Sequence, residues 1–201
     1  INFSLTSWLM NAHWGGGLFA SFFNASLMSL VFVLVYKLKN QMGNKHAYLG
    51  FPIIWLAFEY LHLNWEMTWP WMSLGNVFAE QTSWIQWYEY TGVLGGSLWV
   101  LLINILVYFS LSKLFRKQAF LKPTLFTLAF LLIPLWKSNQ LVSDFKINSE
   151  SEVNVVIVQP NYEPHFEKFK VPQHLQLQRV EGLLDSVWQT NPDLIVLPET
   201  F

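Results

Sequence analysis

The chain has 201 residues, of which 53% are hydrophobic, 17% aromatic and only 12% charged, with a formal net charge of -1. An average globular protein is about 25% charged, so this composition excludes a disordered chain, and the missing basic excess argues against a nucleic-acid binder. There is no cysteine, hence no disulfide framework and no thiolate metal site.

The charges are unevenly spread. Residues 1–136 carry seven basic residues and four acids, whereas residues 137–201 carry five basic residues and nine acids. The first part reads as a membrane region (1–143) and the last as a water-soluble one (152–201). The chain opens on Ile1 rather than Met and stops at Phe201 just after a strand-like run. It reads as a fragment of a longer protein.

Residues 18–36 and 90–112 hold no formal charge, and each is long enough to span hydrocarbon, which takes about 20 residues. Residues 46–63 form another candidate span, apolar apart from Glu59 and the flanking histidines. Residues 122–137 form a fourth, with a short apolar stretch between Lys122 and Lys137 that spans only if the lysines snorkel and the bilayer thins.

Basic residues cluster between the first and second spans (Lys37, Lys39, Lys45) and between the third and fourth (Lys113, Arg116, Lys117, Lys122). Glu66, Glu80 and Glu89 lie between the second and third. The positive-inside rule places the basic connections in the cytoplasm, and the 64–89 segment and everything beyond Trp136 on the outer face.

The 64–89 segment concentrates Trp65, Trp69, Trp71, Trp84, Trp87 and Tyr88 around Pro70 and Gly75. Composition alone favours an interfacial aromatic belt over a docking platform for a lipidated substrate. Glu59 is an intramembrane carboxyl group. It is either functional, or a partner for His62 one turn on, or a buried link between helices. Gly92 and Gly96 have the spacing that lets a neighbouring helix approach closely, and Asn104 suits an interhelical hydrogen bond. His13, His46, His62, His165 and His174 are scattered, so no metal site is expected.

In the last part, Lys137 to Glu152 reads as an exit linker. Val153 to Val158 is a β-branched run suited to a strand buried on both faces. Pro164 and Pro172 mark a loop, Gln173 to Thr190 has helical spacing, and Asn191-Pro192 stops it. Asp193 to Leu197 is a second buried-type strand, closed by Pro198-Glu199. The order predicts one βαβ unit with parallel strands. In open α/β sheets active groups sit beyond the strands' carboxyl ends. There Glu199 is either a pre-organised general base or a solvated turn residue.

Val155-Val156-Ile157-Val158-Gln159-Pro160-Asn161, then a helix, then Asp193-Leu194-Ile195-Val196-Leu197-Pro198-Glu199, resembles the opening of a nitrilase-type (carbon–nitrogen hydrolase) domain. Preceding membrane helices make the chain similar to the apolipoprotein N-acyltransferase family. Pro70-Trp71-Met72-Ser73-Leu74-Gly75, the Gly92 to Ser97 stretch with Asn104, and Glu59 after Trp55-Leu56 match segments of that family. The resemblance implies a multi-helix transmembrane region followed by the start of an α/β nitrilase-like domain. It implies that Glu199 is the first member of a Glu-Lys-Cys triad whose lysine and cysteine lie past Phe201, which would leave this piece inactive.

It further implies a phospholipid acyl donor, a diacylglyceryl-lipoprotein acceptor, a bilayer setting in the bacterial inner membrane with the catalytic domain periplasmic, and no cofactor. Phe169, Trp71 and Glu59 become substrate-binding candidates. A membrane-anchored amidase and a non-enzymatic membrane protein remain as alternatives.

Overall fold

The computed structural model describes residues 2–11, 13–69, 72–145, 152–163, 167 and 170–198. It divides into two units, residues 1–146 and 147–201.

The first unit is helical. A short α1 (Asn2–Thr6) and a 3-10 turn (Ser7–Asn11) precede α2 (Trp14–Met42), α3 (Asn44–Leu63), α4 (Tyr88–Phe115) and α5 (Leu121–Asp144). His13 caps α2, its Nδ1 accepting the Gly16 N–H at 2.9 Å. Helices α2, α4 and α5 are long and apolar enough to cross a membrane. Helix α3 is not among them, since its 20 residues include Lys45, His46, Glu59 and His62.

The helices extend beyond the apolar stretches. Helices α2 and α3 are separated by Gly43 alone, so Lys37, Lys39 and Lys45 are helical rather than in a loop. Lysine is a good helix former and its long stem carries the charge away from an apolar surface. Gly43 has φ 86° and ψ 173°, a region essentially restricted to glycine. The expected linker from Lys137 is likewise helical as far as Asp144. Its polar residues are compatible with a helix, and Ser138 is fully buried against the 64–89 segment.

Val31 of α2, Trp55 of α3 and Leu101 of α4 form the buried centre of this unit, with Met28, Phe51, Phe58 and Leu74 packed against it. Small polar groups tie elements together. The Thr6 and Ser21 hydroxyls share a hydrogen bond at 2.6 Å, and those of Ser110 and Thr127 share one at 3.1 Å between α4 and α5. Trp99 Nε1–H donates to the Phe130 carbonyl at 3.0 Å. Such bonds hold helices together where lipid removes the hydrophobic drive. Elsewhere the helices present large apolar side chains outward, among them Phe22, Phe32, Ile53 and Leu61.

Two sequence expectations for α4 change. Asn104 donates to the Val100 carbonyl of its own helix at 2.8 Å instead of bridging to another. Gly92 interrupts α4 with φ 65° and ψ -174°, and the face of Gly96 is covered by the Tyr88 ring from the first residue of the helix. The paired glycines therefore serve a chain break and an aromatic contact within α4.

The second unit has β1 (Val155–Ile157), α6 (Gln173–Val187), a 3-10 turn (Trp188–Thr190) and β2 (Leu194–Val196). The strands are parallel, with Val155 opposite Leu194, Val156 opposite Ile195 and Ile157 opposite Val196. Asn154 pins the start of the sheet. Its N–H donates to Asp193 Oδ2 at 2.8 Å and its Nδ2 to the Thr190 carbonyl at 2.6 Å. Val158 and Val180 are buried. The strands themselves are not buried on both faces: Val155, Ile157, Leu194 and Val196 are exposed, since only two strands are present among the described residues.

Candidate functional site

The 64–89 segment is folded, built largely from 3-10 turns at Leu74–Phe78 and Thr82–Trp84. Side chains from α3 and α4 hold its middle part. Glu59, near the end of α3, is buried, and its Oε1 accepts both the Trp55 Nε1–H and the Leu74 N–H at 2.8 Å. Ser97 of α4, fully buried, accepts the Gly75 N–H at 2.8 Å. The Tyr88 hydroxyl donates to the Gly75 carbonyl at 3.0 Å. Two successive backbone N–H groups are thus fixed by two different helices. A Cβ at position 75 would collide with the Val93 carbonyl oxygen, so only glycine allows this approach.

The far end of the segment is tied to α5. Ser138 Oγ donates to the Trp84 carbonyl at 2.8 Å and accepts the Trp87 N–H at 3.3 Å. Phe78, Trp84, Trp87 and Trp99 form a connected aromatic cluster, with Phe78 to Trp99 at 5.6 Å and Trp87 to Trp99 at 5.8 Å. These tryptophans belong to a packed cap, while Trp65 and Trp84 keep exposed surface.

His62 is not the partner of Glu59. Its ring stacks on Phe58 at 5.4 Å and tilts against Trp65 at 5.3 Å. Among the described residues, Glu59 Oε2, both ring nitrogens of His62 and Trp87 Nε1 are buried without a hydrogen-bond partner. Unpaired buried polar atoms are costly, and these lie on residues at both ends of the segment. A groove of about 370 Å³ opens beside His62 between α2 and α3, lined by Leu27, Leu30, Phe58, Leu61, His62 and Trp65. It offers an apolar channel with a polar group at its wall.

Of the residues singled out from sequence, Glu59 stands in this cap. Trp71, Phe169 and Glu199 lie outside the described residues. Tyr88 and Ser97 were named within their segments, but their hydrogen bonds to Gly75, and that of Ser138 to Trp84, were not anticipated. Ser97 is a small polar residue inside an apolar stretch, a signal that could have pointed to it, whereas Ser138 lies among the polar residues after Lys137 and carries no such signal. No group of His, Asp or Glu among the described residues is arranged to hold a metal ion.

A family profile for the apolipoprotein N-acyltransferase N-terminal domain matches residues 1–106. An apolipoprotein N-acyltransferase from Chlorobaculum tepidum is 27% identical over 195 residues, covering 96% of this chain. The chain spans 37% of the length of that relative. No solved structure matches the chain.

Proposed function

From the premise that this chain belongs to the apolipoprotein N-acyltransferase family, we propose that it is part of an enzyme moving an acyl chain from a phospholipid to the N-terminal amine of a diacylglyceryl-cysteine lipoprotein. The observation that carries this reading is a sequence of parts in one chain. Apolar helices hold an anchored tryptophan-rich cap, and a parallel strand–helix–strand unit follows whose second strand runs into Pro198-Glu199.

In the proposed reaction a cysteine thiol, absent from these 201 residues, gives its proton to Glu199 and attacks the ester carbonyl carbon. The tetrahedral oxyanion is stabilised by a lysine from the same further sequence. It collapses to a thioester as the lysophospholipid oxygen leaves with the proton. The lipoprotein amine then attacks the thioester, Glu199 takes a proton from it, and an amide forms as the thiol is restored.

The charge pattern supports an outward-facing cap. The basic residues gather where α2 meets α3 and where α4 meets α5, and Glu66, Glu80 and Glu89 gather at the other end. Helix α5 ends on the cap side through Ser138, so the sequence beyond it starts on that same side, in this reading the periplasmic face of the inner membrane. Both substrates can then keep their tails in the outer leaflet. Extracting a chain would cost about 0.8 kcal/mol per CH₂. Trp71 and Phe169 are proposed to meet substrate, and Glu59 to act on it through the cap it holds.

Glu199→Gln in the complete protein is expected to abolish acyl-thioester formation without lowering membrane insertion. Thioester accumulation at the normal level would end the general-base assignment.

A further inference from the structure

At about 21 Å along α3 from Glu59, the start of α3 and the end of α4 lie side by side around a pocket of about 590 Å³. Lys45 borders it from α3, and Ser112, Lys113 and Arg116 from the end of α4, with Gln118 beyond. Three cations thus border one pocket, and no acid does among the described residues. Tyr48 braces it, packing edge-on against Phe109 at 4.9 Å and against Tyr108 at 5.8 Å.

Tyr48, Leu49 and Phe109 also line a second pocket of about 450 Å³, which continues between α3, α4 and α5 past Pro52, Leu102 and Phe130. That pocket is lined by apolar side chains apart from Tyr48. A cationic pocket adjoining an apolar channel across Tyr48, Leu49 and Phe109 matches an amphiphile with an anionic head and a hydrocarbon tail. A free phosphate would use only the first half, and a lipid without net charge would leave the cations uncompensated.

We propose that this composite pocket binds an anionic phospholipid, its phosphate-bearing head among Lys45, Lys113 and Arg116 and one acyl chain along the apolar channel. The site is separate from the one that would present the acyl donor at the cap. Its assignment to the cytoplasmic leaflet rests on the proposed orientation, whereas binding itself does not. Loss of acyl transfer and loss of this site are therefore distinguishable.

The test is native mass spectrometry of the complete protein in detergent, titrated with phosphatidylglycerol, with phosphatidylcholine of the same chains, and with glycerol 3-phosphate. Phosphatidylglycerol is expected to give one adduct beyond any lipid held at the donor site, and the other two only weak binding at this pocket. Each cation near a lipid head is worth about 1 kcal/mol, roughly fivefold in affinity. The double variant Lys113→Gln/Arg116→Gln should therefore lose roughly twentyfold. The control Lys37→Gln/Lys122→Gln, which removes the same charge outside the pocket, should lose less than about threefold. Leu102→Trp, which fills the channel and keeps every cation, should weaken phosphatidylglycerol and leave glycerol 3-phosphate unchanged.

Equal losses in the two double variants would reduce the pocket to a general positive belt and overturn the proposal. So would equal affinity for phosphatidylcholine, or glycerol 3-phosphate binding as tightly as the lipid. The single variant Lys113→Gln, with an expected fivefold loss, keeps the test open should a double variant fail to insert.

Discussion

Replacing Glu59 by alanine should release the cap. In the native protein Oε1 receives the Trp55 Nε1–H and the Leu74 N–H, both at 2.8 Å. Alanine removes both acceptor contacts at once and strands two donors in a site where Glu59 itself is 4% exposed. A stranded buried donor costs about 1–3 kcal/mol, so the pair amounts to about 2–6 kcal/mol. The midpoint, about 4 kcal/mol, is roughly a thousandfold in a local opening equilibrium. The assay is amide hydrogen exchange on the complete protein in nanodiscs, read at Leu74 and Gly75. Glu59→Ala should raise exchange there by about two to three orders of magnitude, with little change at Val31 or Leu101. Glu59→Gln keeps a carbonyl oxygen where Oε1 was, and its amide falls where Oε2 has no partner among the described residues. It should therefore hold the cap almost as well as the native residue. Unchanged exchange in Glu59→Ala would refute the anchoring role. Glu59→Gln losing cap protection as completely as Glu59→Ala would show that the acid group, and not its acceptor geometry, is what matters.

Ser97→Ala should act in the same direction but less, by about 1–3 kcal/mol, because it strands only the Gly75 N–H; equal exchange at Gly75 in variant and native protein would contradict it. Gly92→Ala should lower resistance to unfolding in a denaturing-detergent titration by about 1–3 kcal/mol, since φ 65° with ψ -174° suits only glycine; an unshifted midpoint would remove the strain argument. Reporter fusions should be active only outside the cytoplasm when joined after Phe145 and only inside when joined after Met42, and the reverse pattern would invert the proposed orientation.

Helix positions were legible because gaps in charge are long-range features of the sequence. Helix ends were not, because Lys37, Lys39 and the polar residues from Lys137 to Asp144 are chemically ambiguous between loop and helix. The role of Glu59 shows why site geometry is harder still. Spacing offered His62 one turn ahead, but the carboxyl group found Trp55 one turn behind and a backbone N–H fifteen positions away. Local periodicity carries no trace of that second contact. Ser97 and Gly75 pose the same problem across 22 positions. The βαβ order was legible from β-branched runs and prolines, and the pairing is parallel as expected. Burial of the strands was misread because a buried-type sequence reports what a strand is suited to, whereas exposure depends on which layers lie over Val155, Ile157, Leu194 and Val196.

Helix α3 joins these threads. Among the described residues it is the one long helix of the first unit that is not apolar enough to be recognised as a span by itself, and the residues that lower its apolarity lie at its two ends. Glu59 and His62 sit at one end under the cap, and Lys45 sits at the other in the cationic pocket. Such a helix is tolerable in a bilayer only if neighbours supply partners for its polar groups. Here α2 and α4 pack against it, with Phe32 against Trp55 at 5.8 Å on one side and Tyr48 against Phe109 on the other. A shortfall in hydropathy within a row of otherwise apolar helices is therefore informative by position. It marks the element whose polar groups sit at the cap and at the cationic pocket, with Glu59 Oε1 bound by Trp55 and Leu74, and so the element along which substitutions should separate function from insertion.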